Sequence, residues 1–313
     1  MNDWKVLITD GLSEKGQAIL RSACQVDDRN EISADELLKV IGDYDALIVR
    51  SRTKVTPEVF DAGKKLKVVG RAGVGVDNIN LASAAAHGVT VVNAPKSTSV
   101  AVAELALGLM LGLARSVAVA DSSMKGGQWI KKELKGVELN GKTLGIIGMG
   151  NIGSALAVRG AALGMKVLGF DPLLPAEQIS KRGAEPVSLD DLYSMADYIS
   201  LHIPLTDETR GMIDGQALAK MKRGVRIVCT ARGNIIDETA LLGALESGQV
   251  AGAALDVYGK EPPGLTALVA HPKVIATPHI GAQTAEAQVR AAEDMGTEIL
   301  AALKGEPLRW KVV

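Results

Sequence analysis

The chain has 313 residues, enough for two domains with separate cores, and its net charge of −1 gives no electrostatic pull toward nucleic acid or an anionic membrane. Its hydrophobic (47%) and charged (23%) fractions are ordinary for a globular protein, and its two cysteines, Cys24 and Cys229, supply neither a disulfide framework nor metal-ligand spacing. The first residues enter a strand almost at once with no signal peptide, and the longest apolar helix candidate carries Glu104 and is too short for a bilayer, so a cytoplasmic location is expected.

In chain order, strand-length apolar runs occur at 5–9, 46–50, 67–70 and 89–93, with helical patterns between them, such as 13–22 and 56–62. A long helix is expected over 100–120. The stretch 121–140 fits neither sheet and reads as an arm toward a second subunit, hence a homodimer or homotetramer. A second set of strands follows at 143–147, 166–170, 198–202, 225–230, 251–257 and 274–276, and a long helix at 283–303 can return the chain to the first half. Alternation of this kind predicts an α/β protein: two doubly wound parallel-sheet (Rossmann-like) domains with an interdomain cleft. The expected division is 1–97 plus 283–313 for substrate and 98–282 for a dinucleotide. Cys229, inside "VRIVCTA", reads as a small buried hydrophobe.

The dinucleotide reading rests on "LGIIGMGNIGSALAVRGAALGMKVLGFDP" (144–172). A short apolar strand leads into Gly148, Gly150 and Gly153, spaced G-x-G-x-x-G. A small-residue helix follows, closed by Gly164, then a second strand and Asp171. The first glycine permits a tight turn, the second lets the backbone approach a pyrophosphate, and the third lets helix and strand pack closely. Unpaired N–H groups and the helix dipole meet the phosphate charge. A carboxylate at the second strand tip accepts the ribose hydroxyls and repels a 2′-phosphate, so Asp171 predicts NAD rather than NADP. The bland alternative is a turn that merely packs tightly.

Ligands of open parallel sheets bind beyond the carboxyl ends of strands. There the second set carries Arg232, Glu261 and His279. Histidine can take or give the hydroxyl proton when a hydride moves between a C–OH carbon and nicotinamide. A carboxylate beside it would hold the ring and favour its protonated form. Arginine offers a fork for a substrate carboxylate. Singly, each has a structural reading: a capping His after Pro, a solvated turn in "KEPP", an Arg closing a strand. No metal site is expected.

With these residues in view, the chain resembles the D-isomer-specific 2-hydroxyacid dehydrogenases, and most of all their phosphoglycerate dehydrogenase branch. The motifs run nearly its whole length: "VRSRTKVT" (49–56), "VVGRAGVGVDNI" (68–79), "ELNGKTLGIIGMGNIG" (138–153), "LHIPLTDETRGMI" (201–213), "ARGNIIDE" (231–238), "AALDVYGKEPP" (253–263) and "TPHIGAQTAEAQ" (277–288). The resemblance implies oxidation of D-3-phosphoglycerate by NAD, with Arg232, Glu261 and His279 as catalytic set and His279 as acid–base. It implies cofactor contacts from Val74, Gly148, Gly150, Asn151, Ile152, Gly153, Asp171, Ile203, Pro204, Thr230, Ala231, Arg232, Asp256, His279, Gly281 and Ala282. Asp256 would hold the nicotinamide carboxamide, and His202 would form cofactor wall or structure. Backbone N–H groups at Gly73, Val74 and Gly75 would grip the substrate carboxylate, with Arg50 and Arg71 as cations for substrate, while Arg52 and Lys54 read as a solvated loop. Partners are small 2-hydroxy or 2-keto acids, with no nucleic acid and no membrane.

Two features depart from the family pattern. "NAPKSTS" (93–99) stands where many members have a Gly-Asn pair. The sequence also ends at Val313 without the C-terminal serine-regulatory domain of longer members, so feedback through such a domain is not expected. Reduction of glyoxylate or hydroxypyruvate is the alternative activity. A formate dehydrogenase would carry Gln in place of Glu261. An NAD-binding regulatory protein is the alternative of another class.

Overall fold

The computed structural model describes residues 4–313. Contacts divide the chain into two compact units, Met1–Ser99 with Ala282–Val313, and Val100–Gly281. The first contains β1 (Trp4–Ile8), α1 (Glu14–Arg21), β2 (Cys24–Asp28), α2 (Ala34–Val40), β3 (Ala46–Val49), α3 (Pro57–Ala62), β4 (Val68–Arg71), α4 (Leu81–Ala86) and β5 (Thr90–Asn93). The second begins in α5 (Ser99–Arg115). It continues through α6 (Val117–Lys125), β6 (Thr143–Ile147), α7 (Asn151–Ala162), β7 (Lys166–Phe170), α8 (Ala176–Lys181), β8 (Glu185–Pro186) and α9 (Leu189–Met195). Then come β9 (Tyr198–Leu201), α10 (Gly215–Lys220), β10 (Val225–Cys229), α11 (Glu238–Glu246), β11 (Val250–Leu255) and β12 (Val274–Ala276). The last helix, α12 (Ala285–Lys304), belongs to the first unit.

Both sheets are parallel throughout their named strands. The first has the order β2-β1-β3-β4-β5 and the second β12-β11-β10-β9-β6-β7-β8. Helices cover both faces, so the strands are apolar on both. In the first sheet Leu7, Leu47 and Val49 pack on one side, while Val6, Ile8, Ala46 and Ile48 pack on the other. Strand order reverses at β1/β3 in the first sheet and at β6/β9 in the second. Crevices beyond the strand ends open at such points.

Helix α12 lies against α1, and small residues set the approach. A side chain at Gly16 would strike the Ala292 carbonyl, and one at Gly296 would meet the Gly16 carbonyl at 2.9 Å. Beyond α12, the buried Glu298 carboxylate accepts from the amides of Arg309 (2.9 Å) and Trp310 (3.1 Å) and pairs with the Arg309 guanidinium at 2.9 Å. This seats the last residues antiparallel along β5, with Val312 donating to the Val91 carbonyl at 2.8 Å.

Several sequence expectations need correcting. The helix expected over 100–120 is two helices, α5 and α6, set at 67°. Ser116 between them has φ 50°, and one left-handed residue interrupts the i→i−4 ladder. The stretch 121–140 lies in neither sheet, as expected; it begins within α6, and Val137 donates to the Ala114 carbonyl at 2.9 Å, tying the segment to α5. Strands β2 and β8 were absent from the expected set. No single helix among the described residues is long and apolar enough to cross a membrane.

Candidate active site

The glycine loop follows β6 at the reversal point of the second sheet. Gly148 takes φ +94°, and a side chain there would meet the His202 carbonyl at 2.5 Å. A Cβ at Gly153 would collide with the Gly148 carbonyl, so helix α7 lies against the turn only because this position is bare. At Gly150 a Cβ would meet nothing within 4 Å: the backbone faces open space where α7 begins. Asp171 follows β7 and turns back to the loop, its carboxylate accepting from the Met149 amide (2.9 Å) and from Leu173 N (2.9 Å). Two buried polar atoms beside this region have no hydrogen-bond partner among the described residues, Thr230 Oγ1 and His202 Nδ1. An open loop of N–H donors, an acidic strand tip and unspent polar atoms fit a dinucleotide.

The ends of β10, β11 and β12, adjacent in the sheet, carry the reactive groups. Glu261 and His279 come together: Nδ1 of the imidazole lies 2.7 Å from Glu261 Oε2. The other carboxylate oxygen accepts from the Tyr258 amide at 3.1 Å, which orients it. The Tyr258 hydroxyl in turn sits 3.0 Å from the carbonyls of both Leu255 and Thr277, stitching the ends of β11 and β12. His279 has φ 53°, a region that non-glycine residues enter rarely. Fully buried Asp256 holds that turn. It accepts from Thr277 Oγ1 (2.6 Å), Ile280 N (2.9 Å) and Gly281 N (2.8 Å), the segment on either side of the histidine. Arg232 follows β10 and donates from Nη1 to the Ala231 carbonyl at 2.7 Å. Cys229 beneath it is buried, its thiol pushed up to about 11 by desolvation, so it is no nucleophile.

In the first unit, the loops after β3 and β4 carry the expected anion-binding groups. Asp10 accepts from Arg50 N (2.7 Å) and Thr53 N (3.1 Å), and Asn78 donates to the carbonyls of Arg50 (2.9 Å) and Thr53 (2.6 Å). The main chain of the Arg50 loop is thus held from two sides, while among the described residues its guanidinium makes a single long contact, 3.5 Å to Gln283. Arg52 adds to an expectation. It lies in an exposed loop as expected, its side chain 46% exposed, but it is also tied down, donating to the carbonyls of Ile32 (3.1 Å) and Thr9 (2.5 Å) and pairing with Asp10 at 3.1 Å. The Arg71 guanidinium lies over Gly73. Asn93 donates to the Val74 carbonyl at 2.7 Å and Ala94 N to the Gly73 carbonyl at 2.9 Å, fixing the Gly73–Gly75 backbone.

Residues 107–281 match the D-isomer specific 2-hydroxyacid dehydrogenase, NAD binding domain. The chain belongs to that dehydrogenase family. It is 46% identical over 305 residues to D-3-phosphoglycerate dehydrogenase of Pongo abelii, covering 97% of this chain and 57% of that protein. The chain thus spans little more than half the length of the curated relatives it matches. Among solved structures, a glyoxylate reductase from Paecilomyes thermophila superposes with a TM-score of 0.90 at 34% identity, covering 100% of this chain and 99% of that one. D-lactate dehydrogenase from Aquifex aeolicus, complexed with NAD and lactic acid, gives 0.82 at 31%, with 96% of each chain covered.

Within this dehydrogenase fold, Asp10, Asn78, Tyr258 and Thr277 escaped the sequence reading. Each acts by a bond to a residue far away in the chain, and no local pattern marks such a bond. His202, just past β9, is a half-buried residue whose Nδ1 is fully buried, at a measurable cost. Its Nε2 lies 2.8 Å from Ser200 Oγ, its other ring nitrogen is unpartnered, and burial pulls it down from 6.5 to about 4. The folded state therefore favours neutral imidazole. That stability is complete above pH 6.5 and is lost as pH falls toward 4. The loss should reach about 3 kcal/mol at most. Urea midpoints measured across this range should fall less steeply for His202→Asn than for the parent. Parallel curves would remove His202 from the acid response.

Proposed function

We propose that this chain is an NAD-dependent dehydrogenase that oxidises D-3-phosphoglycerate to 3-phosphohydroxypyruvate. The observation that carries the chemistry is the His279–Glu261 pair at 2.7 Å on adjoining strand ends. Because Nδ1 is engaged by the carboxylate, Nε2 is the atom left to take the substrate hydroxyl proton. Bound NAD would supply the hydride acceptor for C2 of the hydroxy acid. Gly148, Gly150, Asn151, Ile152 and Gly153 would hold its pyrophosphate and Asp171 its adenosine ribose. Ile203, Pro204, Thr230, Ala231, Gly281 and Ala282 would complete its wall. Asp256 would orient the nicotinamide carboxamide while keeping the His279 turn in place. Arg232 and the Gly73, Val74 and Gly75 amides would hold the substrate carboxylate, with Arg71 beside them. Arg50, whose guanidinium is the least engaged of those loops, would take the distal phosphate.

The similarity to a glyoxylate reductase favours a second reading, reduction of a small keto acid without a phosphate. One steady-state comparison separates them: 3-phosphoglycerate, D-glycerate and D-lactate as substrates with NAD. The phosphoglycerate reading expects the first to have the highest kcat/KM, and a preference for either unphosphorylated acid would overturn it. Repeating the assay with NADP tests Asp171, for which NAD should be favoured by at least about tenfold, on the order of 1.4 kcal/mol. We further place the enzyme in the cytoplasm as a homo-oligomer. Exposed Val117, Met124 and Trp129 support a surface that another subunit covers.

A further inference from the structure

The first unit contains a cavity of about 320 Å³ at the β1/β3 reversal point, beyond the strand ends. Asp10, Ser13, Arg50, Thr98 and Gln288 contribute to its wall. Thr98 lies within the "NAPKSTS" segment that departs from the family pattern. The residue is 5% exposed, and its hydroxyl can donate to a group that enters the cavity whose wall it forms.

The charges around the cavity have a definite sum. Asp10 looks unfavourable for an anion, but its carboxylate is spent: it accepts from two backbone amides and from Thr53 Oγ1 (2.5 Å), and it pairs with Arg52 at 3.1 Å. Asp10 and Arg52 cancel, which leaves Arg50 as the net charge. The cavity also meets the start of α1, where Ser13 is the N-cap and its side chain makes no capping bond. Glu14, in that first turn, is paired with Arg21 at 2.6 Å. A cation, a hydroxyl donor and a helix start suit a tetrahedral oxyanion.

We propose that this cavity receives the phosphate of a phosphorylated 2-hydroxy acid and that the Thr98 hydroxyl is a specificity-determining donor to it. The proposal rests on the phosphoglycerate reading and narrows it to a residue outside the expected substrate set. Thr98→Val keeps the side-chain volume and removes the donor, and Thr98→Ser restores it. Steady-state kinetics with 3-phosphohydroxypyruvate and hydroxypyruvate gives a ratio of kcat/KM values. That ratio should fall about tenfold in Thr98→Val, through KM rather than kcat, and recover in Thr98→Ser. Thermal melting confirms that the variants fold. Titration calorimetry with 3-phosphoglycerate should show the same loss of affinity in Thr98→Val. If Arg50→Ala lowers the ratio and Thr98→Val does not, the phosphoglycerate reading stands and this inference falls. If turnover prefers unphosphorylated acids, the substrate reading falls. The inference then survives only if calorimetry shows 3-phosphoglycerate binding that Thr98→Val weakens.

Discussion

Replacing His279 should lower kcat by roughly 10²–10⁴-fold, the contribution of a positioned proton carrier, while NAD still binds. The choice of replacement matters because His279 has φ 53°. Asparagine tolerates that backbone better than alanine, so His279→Asn removes the imidazole with the least disturbance of the turn. Both variants should lose turnover, and fluorescence titration with NADH should separate lost chemistry from lost cofactor binding. Near-parental kcat in His279→Asn would take the histidine out of the mechanism. Glu261→Gln asks about the partner. The carboxylate 2.7 Å from Nδ1 orients the ring so that Nε2 faces outward. Without that charge kcat should fall while NADH binding is retained. An unchanged kcat would leave Glu261 as a turn residue that bonds Tyr258.

The second large effect is expected at Arg50. Losing a charged hydrogen bond to a held phosphate costs about 1.5–3 kcal/mol, or roughly 10–200-fold in kcat/KM. Arg50→Ala should lower kcat/KM for 3-phosphohydroxypyruvate by that factor relative to hydroxypyruvate. The ratio is the informative quantity, because a folding defect lowers both activities together. The structure makes the test cleaner than the sequence did. Asp10 and Asn78 grip the main chain of the loop rather than the Arg50 side chain, so truncation leaves those bonds in place. If the ratio does not move, Arg50 is not the phosphate ligand and the reductase reading moves ahead.

The sites were legible where function demands a local pattern. Gly148, Gly150 and Gly153 must sit at fixed spacing between a strand and a helix, and Asp171 must end the next strand. Strands buried on both faces were also visible: β3 is a continuous apolar run, and β9 is interrupted only by Ser200. Strand β2 was not, because "CQVDD" is half-exposed at a sheet edge and carries two acids; its pairing with β1 is what makes it a strand. Strand β8 has only two residues. The break at Ser116 has neither glycine nor proline to announce it. The bonds of the exposed Arg52 were not legible because its partners, Thr9, Asp10 and Ile32, are distant in sequence. Thr98 lay in a segment whose departure from the family could be seen but whose surroundings could not.

The packing of α12 on α1 bears on the order in which the chain acquires its structure during synthesis. Val100–Gly281 is one uninterrupted stretch that can fold once it has left the ribosome. The other unit cannot finish then, because the helix that meets Gly16 through Ala292 and Gly296 is made only after that stretch. Until it arrives, the face formed by Val6, Ile8 and Ile48 has lost the cover of Met295 and Ile299. Translation therefore leaves a nascent apolar sheet waiting for nearly two hundred residues, roughly ten to forty seconds at 5–20 residues per second. That interval is when chaperone holding would matter most to this protein, and slowing elongation within Val100–Gly281 would lengthen it.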